Sequence, residues 1–169
     1  TFLRTAGVNL ILAYAGGPAD AASLTTALFR PFTCIRVSDS VTGGFSYFYA
    51  EVKRLRALLD ALDADDPLPL FFLIDEIFRG TNNRERLQGS RAYIRRLTGK
   101  HGVGLISTHD LDPVKLADAF AQIDNAHFRD DVQDGRMVFD YTLRPGPCPT
   151  TNALKIMALE GLPVERNND

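Results

Sequence analysis

The 169-residue chain has 45% hydrophobic and 24% charged residues and a formal net charge of −2, an ordinary balance for a globular protein. This charge argues against a domain that holds DNA by its overall positive potential, so any DNA contact would come from a local patch or another domain. The two cysteines have no second Cys or His at metal-ligand spacing, which argues against a disulfide framework and predicts a reducing, cytoplasmic location. No apolar run is long enough to span a bilayer.

Apolar spacing and turn residues predict helices that alternate with strands along the chain. Leu3, Val8 and Leu10 belong to a helical repeat that predicts a mostly buried first helix, stopped at Gly16 and Gly17. The run "LPLFFLID" is typical of a strand buried on both faces of a parallel sheet. The other predicted elements are a strand at 32–38, a helix from Ser46 to about 63, a helix through Leu87, Ile94 and Leu97, a strand at 102–110, a helix at about 112–121, and a last helix that ends at Gly161.

The segment between residues 123 and 143 has a different pattern. Two extended runs flank Asp134 and Gly135, a dipeptide that favours the tight turn of an antiparallel β-hairpin. With this hairpin near its edge, the alternation predicts an α/β fold with a mainly parallel sheet flanked by helices. We find no repeat or linker and expect a single domain over residues 1–169.

Two adjacent carboxylates, Asp75 and Glu76, follow an apolar run directly. Polar groups also end the strands before and after it, at 39–40 and 107–110, and ligands bind beyond the carboxyl ends of parallel strands. Carboxylates at the end of a buried strand are costly without a partner. We therefore expect Asp75 to hold Mg²⁺ directly or through water, Glu76 to orient or deprotonate a water, and His109 to sense or stabilise a γ-phosphate. A structural alternative is that the acidic pair only caps the next turn.

Glycines and a serine precede the second long helix. Gly43 and Gly44 free the backbone just before Ser46, which is placed to cap that helix, and a helix start with exposed amides and a hydroxyl suits an anion. An ordinary glycine turn followed by an N-cap explains the same residues. The stretch "GTNN" at 80–83 is likewise explained by a turn and a cap.

Together these segments resemble the ATPase domain of the MutS family, a branch of the ABC-type ATPases. "SDSVTGGFSYFYAEV" resembles the signature segment of that family, "LFFLIDEIFRGTNN" its Walker B strand and D-loop, "GLISTHD" its switch strand, and "TTNALKIMALEGLP" its terminal helix. The four segments occur in the family's order over nearly the whole chain. "STHDL" and "DGRMVFDYTLRPG" are closer to MutS-like proteins that carry this ATPase domain without mismatch-reading domains.

The resemblance implies a P-loop NTPase fold of the ABC type that binds ATP and Mg²⁺ and works as a homodimer with composite sites. It assigns Asp75 to the magnesium ion and assigns Glu76 and His109 to catalysis in the same subunit. Gly44 and Ser46 would contact the γ-phosphate held by the partner subunit. DNA would contact other domains of a longer parent protein, with a role in mismatch repair or recombination. The residues implied at the D-loop and dimer contact are Gly80, Thr81, Asn82 and Asn83.

The family's phosphate-binding loop ends in Gly-Lys-Ser, followed by Thr and an aromatic–Leu/Met–Arg run, and this chain opens with "TFLRT". We therefore expect a fragment that lacks the preceding strand and Walker A loop and is inactive by itself. One alternative is a non-catalytic dimerisation or interaction domain that keeps the fold without binding ATP. Another is an unrelated metal-dependent hydrolase that uses Asp39, Asp75, Glu76 and Asp110.

Overall fold

The computed structural model describes residues 1–35, 47–133, 136–149, 153–159 and 161–164. The chain divides into two compact units, Thr1–Leu116 and Ala117–Asp169, and each is described by itself. The helices and strands, in chain order, are α1 (Phe2–Tyr14), β1 (Arg30–Cys34), α2 (Tyr47–Asp63), β2 (Leu70–Asp75), α3 (Asn83–Leu97), β3 (Gly102–Ser107), α4 (Leu111–Val114) with a 3-10 turn (Lys115–Asp118), β4 (Ala126–His127), β5 (Asp130–Gln133), β6 (Arg136–Phe139), β7 (Arg144–Pro145) and α5 (Ala153–Leu159).

The first unit is built on a parallel sheet with the order β1-β2-β3. The central strand β2 is the continuous apolar run, as expected for a strand covered on both faces. Phe72 and Ile74 belong to the cluster formed with α2 and α3, whereas Leu73 points to the opposite face and packs close to Gly7 of α1. The prediction of an α/β fold with a parallel sheet between helices is confirmed.

Helices α2 and α3 supply most of the core on one face of this sheet. Leu55, Leu58 and Leu62 form the buried stripe of α2, at the spacing that brings helical residues to one side. Tyr93 of α3 is buried against the same cluster, and its hydroxyl donates a hydrogen bond of 2.7 Å to the carbonyl oxygen of Leu55. The bond satisfies the buried phenol, so the two helices are held together by apolar packing and by one polar contact.

Two predicted features of the helices are wrong. Helix α1 is not mostly buried: Asn9 and Leu10 are its buried residues, while Val8 is 58% exposed, because only one side of the helix faces the sheet. The helix predicted at 112–121 is shorter and ends with the 3-10 turn at Asp118. Its buried residues are Pro113 and Leu116, and helical stability in proteins comes chiefly from such packing, which stops there.

The second unit contains two short antiparallel strand pairs in its described part. Strands β5 and β6 pair from Asp130 opposite Phe139 to Gln133 opposite Arg136, which confirms the predicted antiparallel hairpin. The Asp134–Gly135 turn itself lies outside the described residues. Helix α5 is followed by Gly161 at a φ of 76°, the left-handed conformation that closes many helices. None of the described helices has the length and apolar character needed to cross a bilayer.

Candidate functional site

The carboxyl ends of β2 and β3 bring polar side chains together. Asp75 and Ser107 are direct neighbours in the strand register, and the Ser107 hydroxyl donates a hydrogen bond of 2.7 Å to Asp75 Oδ1. The ladder continues one step further, because the Glu76 amide donates to the carbonyl oxygen of Ser107 at 3.0 Å. Asp39 and Ser40, the third polar strand end expected from the sequence, lie outside the described residues.

One arginine lies between the two adjacent carboxylates. Arg79 is 3.3 Å from Asp75 Oδ2 through a terminal guanidinium nitrogen and 2.5 Å from Glu76 Oε2 through Nε. A guanidinium presents several donors in a fixed plane, so one side chain can serve two acceptors. Arg79 therefore offsets the repulsion between Asp75 and Glu76, and the sequence interpretation had not assigned it a role.

His109 contacts the other oxygen of Glu76. Its Nε2 is 3.1 Å from Glu76 Oε1, while the imidazole side chain is 95% exposed. The residue after it is fixed more firmly, because Arg86 of α3 makes two hydrogen bonds of 2.9 Å to the Asp110 carboxylate. These bonds raise the pKa of Arg86. The arrangement places an accessible imidazole beside Glu76 on a segment that is tied to α3.

The backbone after β2 adopts conformations that are uncommon outside glycine. Glu76 has a φ of 60° and Phe78 a φ of 59°, both in the left-handed region. Such conformations cost on the order of 1–3 kcal/mol each and persist where surrounding contacts enforce them. They turn the chain away from the strand direction just after the last ladder hydrogen bond, and the Glu76 side chain contacts His109.

Aromatic packing holds the Phe78 side chain in place. Its ring centre lies 6.2 Å from the Phe48 ring of α2 and 6.3 Å from the Tyr93 ring of α3. A side chain at Gly89 would come within 2.8 Å of the Phe78 ring, so a glycine allows α3 to lie against it. Gly80 similarly lies close to Phe48, where a Cβ would be 2.9 Å from the Phe48 Cβ. Both helices therefore shape the segment that carries Glu76.

The stretch at 80–83 forms the turn and cap that its composition indicates. The Asn82 side chain accepts a hydrogen bond of 3.0 Å from the Glu85 amide, and the Thr81 hydroxyl donates to Glu85 Oε2 at 2.7 Å. This is a helix start capped by Asn82, and the hydroxyl of the preceding residue, Thr81, holds the Glu85 carboxylate. Gly80 and Asn83 complete the segment, and the dimer contact expected for it stays a prediction.

A buried glutamate of α2 is a second residue that the sequence interpretation missed. Glu51 is 4% exposed, and its Oε1 accepts a hydrogen bond of 2.6 Å from the Phe78 amide. Burial raises the pKa of the Glu51 carboxyl, although the Phe78 amide and the charge of Arg79 act in the opposite direction. The signal was present in the sequence, because Glu51 lies four positions before Leu55 in an otherwise apolar stripe.

The oxygen donors at this edge suit a magnesium ion that keeps most of its water. Asp75 retains 33% side-chain exposure beside the Ser107 hydroxyl, and Mg²⁺ prefers one or two carboxylates together with water and phosphate oxygens. In the described part of the chain, no three His, Cys, Asp or Glu residues are grouped as a metal site. Asp110 is engaged by Arg86, so the four-carboxylate hydrolase receives no support from the described geometry.

Two predicted nucleotide contacts fall outside the described residues. Gly44 and Ser46 lie in the undescribed segment 36–46, directly before the described start of α2. Their contact with a γ-phosphate across a dimer therefore stays a prediction.

Sequence comparison finds proteins to which this chain is similar. The model of MutS domain V matches residues 1–167. The chain is 34% identical over 175 residues to the DNA mismatch repair protein MutS 2 of Haloarcula marismortui, an alignment that covers 100% of this chain and 18% of that protein. It is 28% identical over 165 residues to the DNA mismatch repair protein MutS of Natronomonas pharaonis, covering 96% of this chain and 19% of that protein. The chain thus spans less than a fifth of the length of these curated relatives.

Proposed function

The chain belongs to the MutS family, and from that premise we propose that it is the ATP-binding and ATP-hydrolysing part of a MutS-family protein with a role in DNA mismatch repair or recombination. The proposal extends to an ABC-type ATPase mechanism. The observation that supports it most directly is the acidic pair at the end of the central strand, with Asp75 bonded to Ser107 and Glu76 in contact with His109.

Each side chain at this edge has a proposed role within its own subunit. Asp75 holds the magnesium ion directly or through water, in the polar environment made by the Ser107 hydroxyl. Glu76 takes the proton from the attacking water, and His109 orients Glu76 and contacts the γ-phosphate. Magnesium, when bound, offsets the negative charge of the phosphate oxygens. Arg79 has to release at least one carboxylate for Asp75 and Glu76 to act in these roles.

The proposed active form is a homodimer with composite sites. Gly44 and Ser46 of one subunit contact the γ-phosphate held by the other, and the 80–83 segment lies at the dimer contact. ATP would then act as a clamp between two subunits, and hydrolysis would release it. DNA binding would belong to other parts of the protein, because the overall charge of −2 gives this chain no general affinity for a phosphate backbone.

A non-catalytic dimerisation domain is the second candidate, and one observation favours it. Arg79 already pairs with both Asp75 and Glu76, so the two carboxylates are satisfied without a metal ion. In this alternative the chain would keep the dimer surface and transmit no ATP-driven change.

Magnesium-dependent ATP hydrolysis by the full gene product that carries these residues tests the proposal. Glu76→Gln should lower kcat by about 10²-fold or more while Mg-ATP still binds, because proton transfer to a positioned base contributes about 10²–10⁴-fold. Asp75→Ala should weaken Mg-ATP binding itself. Asp60→Asn, an exposed carboxylate change on α2, serves as the control and should leave both quantities unchanged.

The results separate the two candidates. The ATPase proposal would be overturned if the unsubstituted protein did not hydrolyse ATP, or if Glu76→Gln did not change the rate of hydrolysis. A dimer detected by sedimentation would then favour the interaction domain. A calorimetric titration of Mg-ATP into residues 1–169 alone should give no saturable heat. Saturable binding that Asp75→Ala abolishes would show that the described edge forms a nucleotide site without a phosphate-binding loop.

A further inference from the structure

Glu51 is an unusual residue for its position in the core. It lies at the beginning of the α2 stripe that continues with Leu55, Leu58 and Leu62, and it is 4% exposed. A buried carboxylate is costly compared with an apolar residue of similar size, so simple packing does not explain a glutamate there. Its contacts have to supply the reason.

Among the described residues, the hydrogen bond to the Glu51 carboxylate comes from the segment after β2. Oε1 accepts the Phe78 amide at 2.6 Å, and the Arg79 amide also favours the charged carboxylate. Oε2 is buried and has no hydrogen-bond partner in the part of the chain that the structure describes. The buried Glu51 carboxylate therefore accepts a hydrogen bond from a backbone amide of the segment after β2.

The Phe78 amide, in the segment after β2, needs a hydrogen-bond acceptor from another part of the chain because of the shape of that segment. Phe78 is in a left-handed conformation, two residues beyond the left-handed Glu76, so its amide has left the direction of the β2 ladder. A buried backbone donor without an acceptor would be strongly unfavourable. Glu51 supplies that acceptor, and Phe48, one helical turn earlier, lies against Gly80 on the same loop. The first described turn of α2 thus contacts the loop at two points.

We propose that Glu51 is a positioning residue: its carboxylate fixes the left-handed turn from which Glu76 projects, and so couples the start of α2 to the acidic pair. The catalytic meaning of this coupling rests on the proposed ATPase function. In that function, Ser46 immediately precedes α2 and contacts the partner's nucleotide. A shift of α2 on nucleotide engagement in one composite site would therefore reach Glu76 in the other.

Two substitutions at Glu51 separate positioning from general stability. Glu51→Ala removes the acceptor and should lower kcat for ATP by about 10-fold or more with little change in KM, because Asp75 is untouched. Glu51→Gln keeps an amide oxygen that can accept the Phe78 amide, and it should retain most of the activity. Leu62→Ala is the matched control: it weakens the same helix at its far end, away from the loop, and should leave kcat per folded molecule unchanged.

Hydrogen exchange in the full gene product provides a readout that does not depend on ATP. The Phe78 amide should exchange at least 10-fold faster in Glu51→Ala than in the unsubstituted protein, and at the original rate in Glu51→Gln. Unchanged exchange in Glu51→Ala would overturn the proposal, as would equal kcat in an active enzyme. Absence of ATPase activity in the unsubstituted protein would overturn the proposed function instead, and the exchange result would still decide whether Glu51 fixes the loop.

Discussion

The two compact units of this chain differ in how they use apolar side chains. Every hydrophobic residue that is buried among the described ones lies in Thr1–Leu116, where helices cover the parallel sheet. The described part of Ala117–Asp169 leaves large apolar side chains exposed, including Phe139 at 51% and Tyr141 at 83%. The first unit therefore holds the core that supports the candidate site, while the second is held by short antiparallel pairs and local hydrogen bonds.

This difference has a consequence for local stability. Segments with few buried apolar contacts open more easily than core strands and helices. Strand β2 and helix α2, which position Asp75 and Glu51, should be among the last parts to open, whereas β5 and β6 should open more readily. Substitutions that remove volume should therefore have unequal effects in the two units.

The largest expected effect is the removal of a core leucine. Leu58 is 0% exposed, and Leu58→Ala should lower the free energy of unfolding by about 2–5 kcal/mol, through lost burial and the cavity left behind. Leu143 of the second unit is 45% exposed, and Leu143→Ala should change that free energy by less than about 0.5 kcal/mol. Urea denaturation of both variants measures the comparison. Equal losses would show that the second unit has a core of its own.

The parts of the fold that could be predicted are those with a strong apolar pattern. The continuous run of β2 and the leucine spacing of α2 carry enough periodicity to define a buried strand and an amphipathic helix. The exposure of Val8 in α1 could not be read in the same way, because periodicity does not show how many faces of a helix are covered.

The candidate site was predictable only in outline. Strand ends carrying Asp75 and Ser107 follow from the order of the segments and the geometry of parallel sheets. The left-handed turn at Phe78 and the bridge made by Arg79 depend on contacts that become visible only in three dimensions. Glu51 was predictable in part. The sequence shows a charged residue in an apolar stripe, but it does not show that the Phe78 amide is its hydrogen-bond partner. The catalytic roles of Glu76 and His109 stay predictions.

Two glycine substitutions, one in each unit, should have smaller effects on the free energy of unfolding. A Cβ at Gly104 would lie 2.2 Å from Phe72 Cδ2 and 2.4 Å from the Phe72 carbonyl oxygen, so Gly104→Ala should force β3 away from β2. We expect a loss of about 1–3 kcal/mol, the usual cost of overpacking. Gly146 has open space but a φ of 84°, so Gly146→Ala should cost only backbone strain, about 1 kcal/mol. Unfolding midpoints of the two variants should rank in this order, and the reverse order would contradict the fold described for β2 and β3.

A smaller effect should appear in the pH dependence of the stability of the first unit. Burial raises the folded-state pKa of Glu51 above its ordinary value of 4.5, against the opposing action of the Phe78 and Arg79 amides and the Arg79 charge, and with a small addition from Glu76. The folded protein thus binds this proton more tightly than the unfolded chain, so stability falls as pH rises through the raised pKa. Glu51→Gln should remove that part of the slope. Denaturation midpoints between pH 4 and 8 measure it, and an unchanged slope would show that the carboxyl titrates normally.

The smallest effect concerns a carboxylate of the second unit whose shift has the opposite sign. Arg144 makes hydrogen bonds to Asp140 that lower the pKa of this carboxyl from 3.8 to about 2, with help from the Thr142 amide. Its stabilising contribution is therefore present above pH 3.8 and lost as the pH falls through about 2. Because both side chains are well exposed, salt should weaken the pair, and its effect on unfolding should be slight.

NMR titration of the Asp140 carboxyl should show a midpoint near 2 that rises towards 3.8 in Arg144→Ala. A midpoint that does not respond to Arg144→Ala would mean that the Arg144–Asp140 pair does not form in solution. The raised pKa of Glu51, which is caused by burial, would then have no counterpart of opposite sign in the second unit.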